Sequence, residues 1–294
     1  MAKVTIMDGG MGRQLKDMGA PFQRPEWSAL ALMQAPEFVE KAHQQFVDAG
    51  AEIIISNSYA VVPFHIGEER FEKNGRDLIK LAASIARKVA DSSNRKIKVA
   101  GSLPPAFGSY RPDLFIEEKA TDIYIPLIEE QDNDVDFWLA ETVSSTKEII
   151  KIADILKNNN KPLWVAYTLR DRSNRDLPTQ LRSGETIETA VQTALDLGIK
   201  HILFNCSQPE EMLPALEIIK KMNIDISYGV YANAFEPIKR DQQANNEETT
   251  VRDDTTPEYY LAHAQQWKSL GATIIGGCCG INPNHIKALQ SLNK

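Results

Sequence analysis

Short apolar runs alternate along the chain with longer segments in which apolar and polar residues repeat at the period of a helix. Such short runs are typical of buried strands, and such longer segments are typical of amphipathic helices. The predicted strands are 4–7, 52–56, 97–101, 135–140, 163–168, 201–205, 226–231 and 272–276. The predicted helices are 36–49, 68–91, 117–131, 145–157, 186–197, 209–222, 257–270 and 283–292. Eight strands, each followed by a helix, predict an α/β protein with the fold of a (β/α)8 TIM barrel.

The connections between these elements favour the same fold. Tight helix-to-strand connections carry a glycine where a helix C-terminus needs a positive φ, at Gly50, Gly198 and Gly271. Strand-to-helix connections are longer, at 102–113, 169–185 and 232–256, and in a barrel they open on the face that carries active sites. A doubly wound open sheet is the alternative, but no Gly-x-Gly-x-x-Gly turn follows an early strand. Since no repeat or composition break divides the chain, we predict a single domain over residues 1–294.

Composition and charge narrow the class of protein. The 294 residues are 43% hydrophobic and 25% charged, which is ordinary for a globular protein. The 33 basic and 40 acidic residues give a formal net charge of −7, which argues against nucleic acid as a partner. No apolar run approaches the roughly 20 residues that cross a bilayer, and residues 1–10 lack the pattern of a secretory signal. We therefore expect a cytoplasmic protein with no membrane partner.

All three cysteines, Cys206, Cys278 and Cys279, come directly after the sixth and eighth predicted strands. An odd number of cysteines is not a disulfide framework. Barrel closure makes those two strands near neighbours, and three sulfur ligands with one open position are typical of catalytic zinc. His65, after the second strand, is the one histidine that we retain as a candidate fourth ligand. Two alternatives stay open, namely buried apolar cysteines and a strained disulfide between Cys278 and Cys279.

Three glycines, Gly276, Gly277 and Gly280, surround the adjacent cysteine pair. Adjacent residues on a regular strand point to opposite faces of the sheet. We therefore expect the chain to leave strand geometry here, with the glycines allowing the sharp bend that brings both thiols to one ion.

These motifs resemble those of the zinc-dependent homocysteine S-methyltransferase family. The segments that carry the resemblance span nearly the whole chain: 8–12 (DGGMG), 36–38, 49–51, 57–59 (NSY), 141–142 (ET), 205–207 (NCS) and 276–280 (GGCCG). In the family, cysteines matching Cys206, Cys278 and Cys279 bind zinc, and the thiol of homocysteine enters as the fourth ligand. The resemblance therefore implies a barrel enzyme with Zn²⁺ as cofactor, which methylates the zinc-bound thiolate of L-homocysteine and yields methionine.

The resemblance also implies roles for other residues at the strand ends. Asp8, with the backbone of Gly9 and Gly10, and Glu141 match family positions that hold the amino-acid end of homocysteine; a carboxylate is a suitable partner for an ammonium. Trp27 matches a family tryptophan near the methyl donor, where an indole ring attracts a sulfonium or quaternary ammonium. Four more residues match substrate-binding positions on the same rim: Asn57, Tyr59, Asn205 and Asn233.

The methyl donor is predicted from what departs from the family pattern. The loops 101–110, 169–185 and 239–256 look particular to this branch, and the sequence stops soon after its eighth predicted helix. We therefore expect a small sulfonium donor, S-methylmethionine or S-adenosylmethionine. Alternatives are betaine, a corrinoid partner protein, another thiol or selenol acceptor such as selenocysteine, and a zinc- or thiol-binding protein without catalysis. The polar segment 239–256 is predicted to be a mobile lid or disordered.

Overall fold

Eight parallel strands form one sheet in the structure, a computed structural model that describes residues 3–172, 176–238 and 249–294. The strands are β1 (Thr5–Ile6), β2 (Ile53–Ile55), β3 (Lys98–Leu103), β4 (Phe137–Val143), β5 (Leu163–Thr168), β6 (His201–Asn205), β7 (Ser227–Ala232) and β8 (Ile274–Gly277). Strand β1 pairs with β8. It also contacts β2, because the Asp8 amide donates to the Ile53 carbonyl at 2.9 Å and the Glu52 amide donates to the Ile6 carbonyl at 2.7 Å. The sheet therefore closes, and the predicted (β/α)8 barrel is confirmed.

Helices cover the outside of the barrel and follow the predicted order. They are α1 (Met11–Asp17), α2 (Ser28–Gln34), α3 (Pro36–Ala49), α4 (Pro63–Ile66), α5 (Glu68–Ser92), α6 (Glu117–Gln131), α7 (Thr146–Ile155), α8 (Ile187–Asp196), α9 (Pro209–Met222), α10 (Pro257–Ser269) and α11 (Pro283–Leu289). Gly50, Gly198 and Gly271 have positive φ angles of 112°, 77° and 105°, as their positions after helices predict. The sequence pattern does not predict helices α1, α2 and α4. Within the part of the chain that is described, no helix has the length and apolarity to cross a membrane.

The barrel interior is filled by side chains that alternate along the strands. On β4, Phe137 and Leu139 belong to the interior cluster, and Glu141 is the next residue in the same alternation. Trp164 stacks on Phe137 with ring centroids 4.0 Å apart, near the amino end of the barrel. Because apolar residues fill the interior below Glu141, the polar residues at the carboxyl ends of the strands form the floor of an open cavity.

Glu148, in the first turn of α7, is a buried carboxylate. Its carboxylate accepts hydrogen bonds from the Ser144 amide at 3.1 Å and the Ser145 hydroxyl at 3.0 Å. Burial nevertheless raises the pKa of Glu148 to about 7, above the value of about 4.3 for an unfolded chain. The folded protein then binds the proton more tightly than the unfolded protein, so this group lowers the free energy of unfolding as the pH rises through that window.

Glu148→Gln removes the titration and keeps an acceptor oxygen. We expect the free energy of unfolding of the variant, relative to wild type, to be higher at pH 8 than at pH 5 by about 1–3 kcal/mol. Urea denaturation at the two pH values measures this difference. Parallel pH profiles for the two proteins would contradict it.

Candidate active site

The three cysteine sulfurs meet at the carboxyl end of the barrel. Their Sγ atoms all lie within 4.8 Å of one another, and those of Cys278 and Cys279 are 4.0 Å apart. The backbone of β7 holds both contributing segments, because the Cys206 amide donates to the Tyr231 carbonyl at 3.3 Å and the Cys278 amide donates to the Ala232 carbonyl at 2.8 Å. The convergence expected from strands six and eight is therefore found.

These sulfurs fit a metal ion better than they fit the alternatives. In a tetrahedral site whose ligand atoms lie about 2.3 Å from the ion, neighbouring ligand atoms are about 3.8 Å apart. The 4.0 Å between the sulfurs of Cys278 and Cys279 is close to this separation. All three cysteines are free thiols, so Cys278 and Cys279 do not form the disulfide considered above. Hydrogen bonds from Cys278 and Cys279 lower the pKa of Cys206, whereas the hydrogen bond to Cys206 raises the pKa of Cys278. Three thiolates this close repel one another, and a bound cation removes that repulsion.

Two glycines give the cysteine pair its geometry. A Cβ atom at Gly10 would lie 2.6 Å from the Cys278 carbonyl oxygen, so only glycine lets the segment after β1 pass this close to the pair. Gly280 has a φ of 83° and makes the bend that follows the pair. The expectation that Gly276 and Gly277 also bend the chain is wrong, because both lie within β8. Glycine serves there for close packing, since a Cβ atom at either position would lie within 2.5 Å of the Met7 or Ile281 side chain.

His65 lies outside the cysteine cluster. Among the described residues, the group able to hold a metal consists of the three cysteines alone. His65 belongs to the short helix α4, its Nδ1 lies 3.1 Å from the Pro25 carbonyl oxygen, and its ring contacts Trp27 at a centroid distance of 5.4 Å. The structure therefore does not support His65 as the fourth ligand, and it places this histidine behind Trp27.

Two buried carboxylates share the cavity with the sulfurs. Burial raises the pKa of Glu141 to about 7, although hydrogen bonds from Ser102 and Tyr231 lower it. Burial also raises the pKa of Asp8 well above its usual range. Oδ2 of Asp8 accepts a hydrogen bond from the Ile55 amide at 2.9 Å, while Oδ1 has no hydrogen-bond partner among the described residues. Buried acceptors with unused capacity in a cavity are suited to a cationic group of a ligand.

The predicted binding residues divide into those that line the cavity and those that do not. The lining residues are Asp8, Gly9, Gly10, Trp27, Asn57, Tyr59 and Glu141. Asn205 lies beneath this layer, where its side chain accepts from the Thr142 amide and donates to the Thr142 hydroxyl, both at 3.0 Å. Asn233 accepts from the Phe235 amide at 3.2 Å. In the structure these two asparagines therefore fix the backbone beside the site.

Several site residues were not singled out from the sequence. Ser102 donates a hydrogen bond to Glu141, and Tyr110 donates one to Cys206 Sγ at 3.3 Å. Tyr231 lies near the carboxyl end of β7, belongs to the interior cluster and lines the cavity. Tyr110 has no strand pattern to place it, because it lies in the loop after β3. Burial raises the pKa of Tyr110 well above its usual range, so its hydroxyl keeps its proton.

Backbone strain is concentrated at the same place. Five non-glycine residues have left-handed φ angles, among the residues described, and four of them are at the site: Trp27 (50°), Tyr110 (68°), Thr142 (58°) and Cys206 (50°). Such conformations are costly outside glycine and persist where surrounding contacts impose them.

Residues 239–248, which form most of the predicted lid, lie outside the described residues.

Known proteins similar to this chain were found by sequence and by fold. A family model described as homocysteine S-methyltransferase matches residues 5–292. The selenocysteine methyltransferase of Astragalus bisulcatus is 24% identical, over 99% of this chain and 92% of its own length. The homocysteine S-methyltransferase of Escherichia coli K12 is 27% identical, over 98% and 94%. The crystal structure of the metallated form of the homocysteine methyltransferase MmuM from Escherichia coli matches with a TM-score of 0.78 and 25% identity, over 99% of this chain and 96% of that chain.

Proposed function

Because this chain belongs to the homocysteine S-methyltransferase family, we propose that it transfers a methyl group from a small sulfonium donor to the thiol of L-homocysteine in a zinc-dependent reaction. The observation that carries the proposal is the meeting of three thiols and two buried carboxylates in one cavity. We also propose that residues 1–294 act as one domain and that the enzyme works in the cytoplasm, where free thiols persist.

Each group in the cavity has a distinct task. Cys206, Cys278 and Cys279 would hold the ion and leave a ligand position for the substrate sulfur. When bound, zinc supplies a Lewis acid that lets a thiol of ordinary pKa, about 8.5, react as a thiolate at neutral pH. Glu141 and Asp8 bind the substrate ammonium, and the arriving positive charge favours their ionised forms despite burial. The proton of the acceptor thiol would be released when the sulfur binds the metal, and the donor, having given up its methyl group, would leave as a neutral thioether, so no side chain has to supply a proton.

The donor side of the cavity favours a cationic methyl donor with a carboxylate. The indole of Trp27 lines the cavity, and an aromatic face attracts a sulfonium by cation–π contact. The partly exposed Arg13 and Arg24 line it too, whereas the acidic groups Asp8 and Glu141 are buried. A donor that has a sulfonium near the sulfurs and a carboxylate near the arginines matches this order of charges. S-Methylmethionine and S-adenosylmethionine both have these two groups.

A selenol acceptor is the second candidate. The similar protein from Astragalus bisulcatus is a selenocysteine methyltransferase. A selenol has the same open ligand position and the same carboxylates available to it, because selenocysteine also carries an ammonium. We propose homocysteine as the main acceptor and include selenocysteine in the test.

Methionine formation from homocysteine by the zinc-loaded protein is the test of this proposal. S-Methylmethionine, S-adenosylmethionine, betaine and methyltetrahydrofolate are supplied one at a time, and selenocysteine replaces homocysteine in a parallel series. We expect turnover with a sulfonium donor and loss of turnover after chelation of the metal, restored by adding zinc. Mass spectrometry of the methylated product and zinc analysis of the same sample give the readouts.

The controls separate the parts of the proposal. Turnover with betaine alone would contradict the sulfonium donor and leave the acceptor standing. Turnover of selenocysteine but not homocysteine would contradict the acceptor. Silence with every donor, in protein that retains one zinc ion per chain, would contradict direct methyl transfer from a small donor.

A further inference from the structure

Tyr110 lines the cavity and contacts one sulfur of the cysteine cluster. It is only 9% exposed, and its hydroxyl donates a hydrogen bond to Cys206 Sγ at 3.3 Å. Its backbone has a left-handed φ of 68°, a conformation that a bulky residue adopts only when its surroundings impose it. The contact with sulfur is therefore held by the fold and is not a chance position of a flexible side chain.

Arg182, in the loop between β5 and α8, fixes the ring of Tyr110. The centre of its guanidinium lies over the ring, 4.8 Å from the centroid. The same guanidinium pairs with Asp171 at 3.0 Å, and the two side chains are 4% and 1% exposed. A buried ion pair of this kind contributes little net stability, but it holds the guanidinium in place over the Tyr110 ring.

The ion pair of Asp171 and Arg182 also binds the backbone of a third segment near the cysteines, at Ile238. Asp171 Oδ2 accepts a hydrogen bond from the Ile238 amide at 2.8 Å, and Arg182 donates to the Ile238 carbonyl at 3.3 Å. Ile238 packs in one cluster with Tyr110 and Cys206. On the other side of Tyr110, the hydroxyl of its neighbour Ser109 lies 2.6 Å from the hydroxyl of Tyr59. Tyr110 is thus held from two loops at once.

We propose that Tyr110 is a positioning residue for the metal centre, which fixes the direction and charge of Cys206 Sγ by its hydrogen bond, and that Arg182 and Asp171 act through it. This inference rests on the proposed function, since it assumes that the three cysteines hold a metal. A hydrogen bond to a ligating sulfur fixes its direction and stabilises the anionic form that binds metal, and partners of this kind affect metal affinity by about 10- to 100-fold.

Tyr110→Phe tests the hydrogen bond, because it keeps the ring and removes only the hydroxyl. We expect zinc to bind about 10-fold more weakly in competition with a chelator. In the Co²⁺-substituted protein, we expect the sulfur-to-cobalt charge-transfer absorption to shift. Tyr167→Phe is the matched control, since it also removes one buried hydrogen bond, from Tyr167 to the Ala190 carbonyl at 2.9 Å, with no sulfur nearby. It should leave both readouts unchanged.

A double-mutant cycle tests the route through Arg182. Arg182→Lys keeps a charge beside Asp171 but loses the planar contact with the ring, and we expect it alone to weaken zinc binding about two- to fivefold. In the Tyr110→Phe background the same substitution should have no further effect. Effects that multiply would overturn the route through Tyr110.

The outcomes distinguish this inference from the proposed function. A wild-type chain that takes up neither zinc nor cobalt would overturn both. A wild type that binds metal, together with a Tyr110→Phe protein of equal zinc affinity and equal cobalt spectrum, would overturn the inference alone. Circular dichroism of the metal-free variants confirms that they fold.

Discussion

Cys206→Ala is expected to abolish both metal retention and methyl transfer. Zinc sites with four protein ligands bind with about 10–16 kcal/mol, so each ligand contributes about 2.5–4 kcal/mol, and loss of one weakens binding by about 10²–10³-fold. Cys206, directly after β6, is also the one sulfur of the cluster that lies far in sequence from the other two. Zinc content after dialysis and methionine formation from homocysteine measure the two losses in one preparation.

Cys206→Ser serves as the companion variant, since it preserves the size of the side chain and changes only the ligand atom. A hydroxyl stays protonated near neutral pH and is a poor partner for zinc, so we expect the same losses. The backbone at position 206 has a left-handed φ of 50°, which a substitution could disturb. Thermal unfolding therefore checks that both variants remain folded. Full turnover without metal in either protein would refute the mechanism.

Glu141→Gln is expected to reduce kcat/KM for homocysteine by at least about 30-fold, because it removes one charge of a buried, hydrogen-bonded ion pair worth about 2 kcal/mol or more. The acceptor 4-mercaptobutyrate has the same chain and thiol but no ammonium. We expect its methylation to be insensitive to the substitution. Steady-state kinetics with the two acceptors therefore isolate the contact between the carboxylate and the ammonium.

Glu148→Gln is the matched control for this experiment. Glu148 is buried and also has a pKa raised to about 7, but its partners are Ser144 and Ser145 and not the cavity. Its substitution should leave kcat/KM for homocysteine at the wild-type level. Equal losses of activity with both acceptors in Glu141→Gln would show that Glu141 acts on the sulfur centre or on the fold, not on the ammonium.

The barrel could be predicted because its strands and long helices are defined by local periodicity. The predicted bounds of β5, β6, α3, α6 and α9 coincide with the observed ones. Helices α1, α2 and α4 have seven, seven and four residues, which is too short for the helical period to stand out. Their formation depends on packing against α3 and α5, which the sequence pattern does not display.

The candidate site could be predicted where its residues directly follow a strand. Cys206 directly follows β6, and Glu141, predicted to follow its strand, lies within the carboxyl-terminal part of β4; barrel closure decides where both strand ends lie. Tyr110 and Arg182 belong to loops, and their contacts join residues far apart in the chain; Tyr110 and Cys206 are separated by 96 positions. The side-chain direction of Asn205 could not be predicted from the sequence, because Asn205 bonds to Thr142, where β4 has an irregular, left-handed backbone.

The hydrogen-bonded junction between β1 and β8, which helps to close the barrel, lies within the candidate site. Asp8 follows β1, and its carbonyl accepts a hydrogen bond from the Gly277 amide at 2.8 Å, directly before Cys278. Opening this junction would separate the Asp8 carboxylate, which we propose binds the substrate, from two sulfurs in a single event. A metal or substrate that binds only the closed junction, present at a thousand times its dissociation constant, adds about 4 kcal/mol to the closed form. Closure of the barrel and readiness for methyl transfer are then one equilibrium, which the ligands themselves shift.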